Sequence, residues 1–96
     1  MAFKENYNFE NLVNEAERLV LEELERELAS NNKVCKCEEC ILDMAAYALN
    51  SIKPYYRVSL MGTLYAHAID NTDYAWEVKK AVKEAIKKIQ NNPAHD

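Results

Sequence analysis

With 96 residues, one glycine and two prolines, the chain is one domain, 1–96, whose scarcity of turn residues argues for long helices and against a many-stranded sheet. Its net charge of −4 works against a broad, non-specific grip on nucleic acid, which draws its affinity from basic side chains neutralising phosphates. No run of about eighteen apolar residues occurs and the start MAFKENYNFEN lacks an apolar signal core, so the expectation is no membrane span, no secretion and a cytoplasmic location.

The first helix is expected after a cap at Asn8 or Asn11, with Phe9, Leu12, Val13, Ala16, Leu19 and Val20 forming its apolar stripe. Leu21, Leu24 and Leu28 continue that stripe on a rotated face. A domain of this length buries only about two-thirds of its unfolded surface, so the wider face exceeds what one neighbour covers and predicts a homodimer, the commonest symmetric assembly. The helix is also acidic: residues 1–30 carry eight Glu against Lys4, Arg18 and Arg26, a face most simply read as solvated.

Residues 30–33 form a polar loop that leads into Cys35, Cys37 and Cys40, a C-x-C-x-x-C cluster holding all three cysteines. Three thiolates this close suit a metal, and a C-x-x-C pair at a helix start is a common zinc half-site because amides near the helix start stabilise thiolate charge. Structural zinc wants a fourth ligand, for which the chain offers His95, His67, Asp43, and a water or a group from a partner chain. His95 is the first choice, since it lies in the tail Asn-Asn-Pro-Ala-His that an anchoring role would keep ordered. The competing uses are thiol redox chemistry through a Cys37–Cys40 bridge and unliganded thiols; an odd cysteine count argues against a disulfide scaffold.

Residues 41–49 are apolar almost all round a helix, the mark of an element buried on several sides. Asn50 and Ser51 end it, and Pro54 excludes its continuation. Residues 55–59 have the aromatic and β-branched content of a short strand, and Gly62 closes the passage. A third, short helix over 63–69 stops at Asp70 and Asn71. Asn71 or Thr72 can cap the last helix, which runs to about Asn91 on a core stripe of Val78, Ala81, Val82, Ala85, Ile86 and Ile89. Trp76, Lys80, Lys83 and Lys87 share its opposite face. The simplest reading packs Trp76 against the chain entering the helix or a partner subunit; the alternative stacks it on a base while the lysines meet phosphates. The expected fold is therefore all-α: a small bundle of about four helices around a buried central helix, with an extended segment near residues 55–59 and a zinc-stabilised loop.

The order C-x-C-x-x-C, then Asp43, Ala46, Ala48, Leu49, Asn50, Pro54, Tyr56 and Gly62, resembles the late competence development protein ComFB family. The terminal Asn92, Pro93, Ala94 and His95 resemble that family's tail, and the match covers nearly the whole chain. Lys53 stands where the family usually has the first of two prolines, and Arg57 where it usually has an aliphatic residue. The resemblance implies a small, dimeric, cytoplasmic, zinc-containing bacterial helical protein linked to competence and to cyclic dinucleotide second messengers, with no catalytic residues.

No Gly-rich phosphate loop is available with one glycine, and no histidine pair sits at metal-hydrolase spacing, so the expectation is a non-enzymatic regulatory or adaptor protein. A cyclic dinucleotide would be met by Lys53, Tyr55, Tyr56 and Arg57, which combine positive charge with stacking surfaces; packed tyrosines with solvated Lys53 and Arg57 are the plain alternative. A second class of function is a protein-interaction module of DNA-uptake machinery acting through the acidic first helix, around Glu22 and Glu23, without a nucleotide ligand; a third is the thiol redox protein.

Overall fold

The computed structural model describes residues 2–58 and 73–92. Three helices dominate: α2 (Glu15–Ala29), α3 (Glu38–Asn50) and α4 (Asp73–Asn91). A single-turn α1 (Ala2–Asn6) and a 3-10 turn (Phe9–Asn11) precede them. Two short strands, β1 (Val13–Asn14) and β2 (Tyr56–Arg57), pair antiparallel, Val13 opposite Arg57 and Asn14 opposite Tyr56. The chain is thus mostly helical with a minimal sheet. Gly62, the helix expected over 63–69, His67, the caps Asn71 and Thr72, and the tail with His95 lie outside the described residues.

The helices form because their apolar residues recur at helical spacing and meet in one core. In α2 the buried positions are Glu15, Ala16, Leu19, Val20, Glu23, Leu24 and Leu28; in α3 they are Cys40, Met44, Ala45 and Ala48; in α4 they are Val78, Ala81, Val82, Ala85 and Ile86. Each helix packs on the other two, most extensively α3 on α4. The small residues Ala45, Ala48, Ala81 and Ala85 are all in the buried core, where short side chains let helix axes approach. Emptying a large, fully buried position such as Met44 would cost roughly 2–5 kcal/mol.

Two details depart from the sequence reading. The first long helix does not start after Asn8 or Asn11: Asn8 caps only the 3-10 turn, accepting from the Glu10 amide at 3.1 Å, and α2 starts after Asn14, whose side chain accepts from the Ala16 amide at 3.1 Å. Val13, β-branched, pairs across to Arg57 instead of entering the helix. The rotated face of α2 also divides: Leu24 and Leu28 are core residues of the same chain, whereas Leu21 is 52% exposed. In α3, Leu42 is 62% exposed, because a helix with two neighbours keeps one side toward solvent.

Candidate metal centre and binding segment

The cysteine loop is held at both ends by the core. Val34 and Cys40 are buried in the hydrophobic cluster, and the chain between them carries Cys35 and Cys37 exposed at the surface. Cys37 caps α3 with extended backbone (φ −70°, ψ 162°) and its carbonyl accepts from the Ile41 amide at 3.0 Å, while its side chain makes no capping bond. The sulfur is therefore free of a capping role. Glu38 and Glu39 follow in the first turn, as the positive end of the helix favours.

The three sulfurs lie within 4.8 Å of one another. Tetrahedral zinc with sulfurs at 2.3 Å spaces its ligands by about 3.8 Å, so a cation needs only a slight contraction of this cluster. Their chemistry fits as well. Hydrogen bonds from Cys37, first from its backbone and then from its thiol, draw the Cys35 thiol below its usual range. Burial, with hydrogen bonds to Cys37 and Cys35, pushes the Cys40 thiol up to about 12. One sulfur thus gives up its proton more easily than an ordinary thiol while another holds it more tightly, and a cation that binds all three has to displace protons. Among the described residues no carboxylate or imidazole completes the group; Asp43, half-buried on α3, does not join it. Three close cysteines able to hold a metal ion are what the chain provides here.

The segment 53–57 is pinned from two directions. On one side the Asn14 side chain, already capping α2, accepts a second bond from the Tyr55 amide at 2.7 Å, and the Glu15 amide donates to the Tyr55 carbonyl at 2.6 Å. Glu15, 2% exposed, receives Arg18 Nε on Oε2 at 2.8 Å and Arg57 Nε on Oε1. The Arg18 hydrogen bond, reinforced by Arg57, holds the Glu15 carboxyl below its ordinary value against the opposing effect of burial. On the other side the Tyr74 hydroxyl, in the first turn of α4, donates to the Lys53 carbonyl, and its ring lies 5.9 Å from that of Tyr55.

The four residues singled out here from sequence consequently take different roles. Arg57 spends its guanidinium on Glu15, and Tyr55 packs half-buried on Tyr74. Tyr56 stays 59% exposed, and Lys53 lines a hollow of about 430 Å³ between the end of α3 and α4, shared with Tyr47, Ser51, Lys80 and Glu84. The residues that organise the segment, Asn14, Glu15 and Tyr74, were not read from the sequence. Asn14 followed by two good helix formers was a cap signal equal to Asn8 and Asn11; nothing local marked Glu15 or Tyr74.

A second buried carboxylate lies on the core side of α2. Glu23 is 6% exposed, pairs with Arg26 through Oε1, and has its Oε2 buried with no hydrogen-bond partner within normal geometry among the described residues. Burial, then a hydrogen bond with Glu27, raises its carboxyl above the ordinary range, opposed by the charges of Arg26 and Lys79.

The family model for late competence development protein ComFB matches residues 13–93. The chain belongs to the ComFB family. Four solved chains match it, among them the late competence protein ComFB from Bacillus subtilis, at 25% identity over 86% of this chain and 94% of that one, with a TM-score of 0.69. No curated protein sequence matches. The ComFB match begins at Val13, so the cysteine cluster, the Glu15 clamp and all three long helices fall inside it, whereas the aromatic group of Phe3, Tyr7 and Phe9 falls outside. Among the described residues no helix is long and apolar enough to cross a membrane.

Proposed function

We propose that this chain is a non-enzymatic regulatory adaptor of the ComFB family, in which Cys35, Cys37 and Cys40 hold a zinc ion that fixes the loop against the start of α3. The observation that carries this reading is the convergence of three sulfurs within 4.8 Å on a loop anchored by buried Val34 and Cys40. Zinc is favoured over other cations by the donor set, since soft thiolates select it and hard oxygen-seeking cations avoid it. His95 is the fourth ligand in this reading. Cysteines committed to one ion are shielded nucleophiles, which turns the site toward structure and away from catalysis. The adaptor acts as a homodimer in this reading, since Leu21 and Leu42 are large apolar residues left open on two helices. Its place is the cytoplasm, where thiols stay reduced and available to a metal.

Elemental analysis of protein purified without chelators tests the reading. One zinc per chain is expected, lost together with thermal stability when all three cysteines become serine. A metal-free protein whose melting is indifferent to the triple substitution would overturn it and leave the thiol redox reading to be tested by mild oxidation.

A second reading, a cyclic dinucleotide receptor, is supported by the hollow beside Lys53, where Lys80 adds a second ammonium and exposed Tyr56 stands on the neighbouring strand. Lys53 and Tyr56 are the groups free to meet such a ligand, Arg57 being engaged by Glu15. Calorimetric titration with a cyclic dinucleotide is expected to give heat that Lys53→Ala abolishes; no heat at high ligand concentration would remove this reading while leaving the zinc adaptor intact.

A further inference from the structure

The outward face of α4 carries a feature that the metal reading does not use and that shares only Lys80 with the dinucleotide reading. Trp76, in the first turn of α4, is 70% exposed. The ammonium of Lys79 sits over its ring, 5.7 Å from the centroid. Trp76, Lys80, Lys83 and Lys87 recur at intervals of four, three and four, one stripe extending about 16 Å along the helix axis. With Lys79 and Glu84 these residues line a hollow of about 540 Å³.

The basic side chains of α2 and of this stripe differ in their ion pairing among the described residues. On α2 the basic residues are paired: Arg18 bonds Glu15 and Glu22, and Arg26 bonds Glu23. Among the described residues no carboxylate forms an ion pair with Lys80, Lys83 or Lys87, although the chain as a whole is acidic. Like charges at helical spacing weaken the helix that carries them. Together with an unburied indole, the row presents an aromatic plane and cations in file, the two elements that a base and its phosphates require.

We propose that this face of α4 binds a short stretch of single-stranded nucleic acid, with Trp76 stacking on one base and Lys80, Lys83 and Lys87 meeting successive phosphates. A single strand fits better than a duplex, whose bases are already stacked and whose faces cannot reach the indole. It fits better than an anionic membrane because Val78, Val82 and Ile86 are spent in the core, leaving Trp76 as the single large apolar side chain on the stripe, and because the stripe lines a hollow. The acidic remainder of the chain confines contact to this stripe, so the site grips few phosphates and does not depend on base sequence. It rests on neither zinc nor Lys53.

Trp76 is the chain's only tryptophan, so its fluorescence reports the site directly. Titration of the full chain with an oligothymidylate at low salt is expected to quench it saturably, with log affinity falling against log salt at a slope of about −2, as three neutralised phosphates on a single strand give. Lys83→Glu with Lys87→Glu should weaken binding at least tenfold with the melting temperature unchanged, and Lys83→Gln with Lys87→Gln should weaken it less. Fluorescence polarisation of labelled strand should show Trp76→Leu weakening it about fivefold or more, and Lys53→Ala leaving it unaltered. The proposal fails if the strand leaves the fluorescence unchanged, if duplex or pyrophosphate binds as well as the strand, or if the response requires phosphatidylglycerol vesicles.

Discussion

Two places tie a loop to the helical core, and they are built in opposite ways. Where β2 meets the start of α2, every strong group is matched: Glu15 receives two guanidinium groups, and Asn14 caps the helix while holding Tyr55. At residues 35–40, three sulfurs crowd together with no carboxylate or imidazole joining them among the described residues, one thiol drawn down and another pushed up. The first clamp is complete as it stands. The second is a cluster that could hold a metal ion, so that in our reading the same chain holds one loop by internal ion pairing and the other by a metal.

The contrast is sharpest in the response to chelation. Stripping the metal should lower stability by about 3 kcal/mol or more, since structural zinc contributes folding free energy outright. For a domain of this length that is a fall of roughly 12–24 °C in melting temperature, measured by thermal denaturation with and without a chelator. The Glu15 clamp should be indifferent to the same treatment. Zinc affinity should also climb with pH, because Cys40, pushed up to about 12, surrenders its proton on binding; competition titrations with a chromophoric chelator at several pH values would reveal it.

The clamp is broken instead by substitution or acid. Arg57→Met leaves a buried carboxylate with one partner fewer and should cost about 1–3 kcal/mol, read by chemical denaturation. Because the Glu15 carboxyl is held below its ordinary value, its stabilisation is fully present above that value and is lost as pH falls through the lowered one. Wild type and Glu15→Gln should therefore converge in stability in strong acid and diverge toward neutrality. Asn14→Ala removes the cap and the Tyr55 contact together and should cost about 1 kcal/mol.

Glu23 lies between the two cases, paired on one oxygen and orphaned on the other. Its raised carboxyl costs stability as pH rises above the ordinary glutamate value, the reverse of Glu15. Glu23→Gln should consequently stabilise the protein at neutral pH, by up to about 1 kcal/mol, an advantage that vanishes in acid where both side chains are neutral.

What the sequence disclosed follows the range of the interactions. The cysteine cluster spans six residues and the α4 stripe repeats every three or four, so both were legible from local spacing. The start of α2 was not: Phe9, Leu12, Val13 and Ala16 keep helical spacing straight through β1, and three asparagines compete as caps. Asn14 prevails because its side chain also meets the Tyr55 amide 41 positions away, a bond no local pattern reveals. Arg57 looked like a ligand contact for the same reason, its partner Glu15 being 42 positions distant. Trp76 and the lysines share one face of α4, as their spacing indicated, and among the described residues the indole is exposed.

Zinc-edge X-ray absorption on protein purified without chelators addresses the cysteine centre most directly. Our account requires bound zinc with three sulfurs at about 2.3 Å and one lighter neighbour. A sample without zinc, or a zinc shell composed only of nitrogen and oxygen, would contradict it.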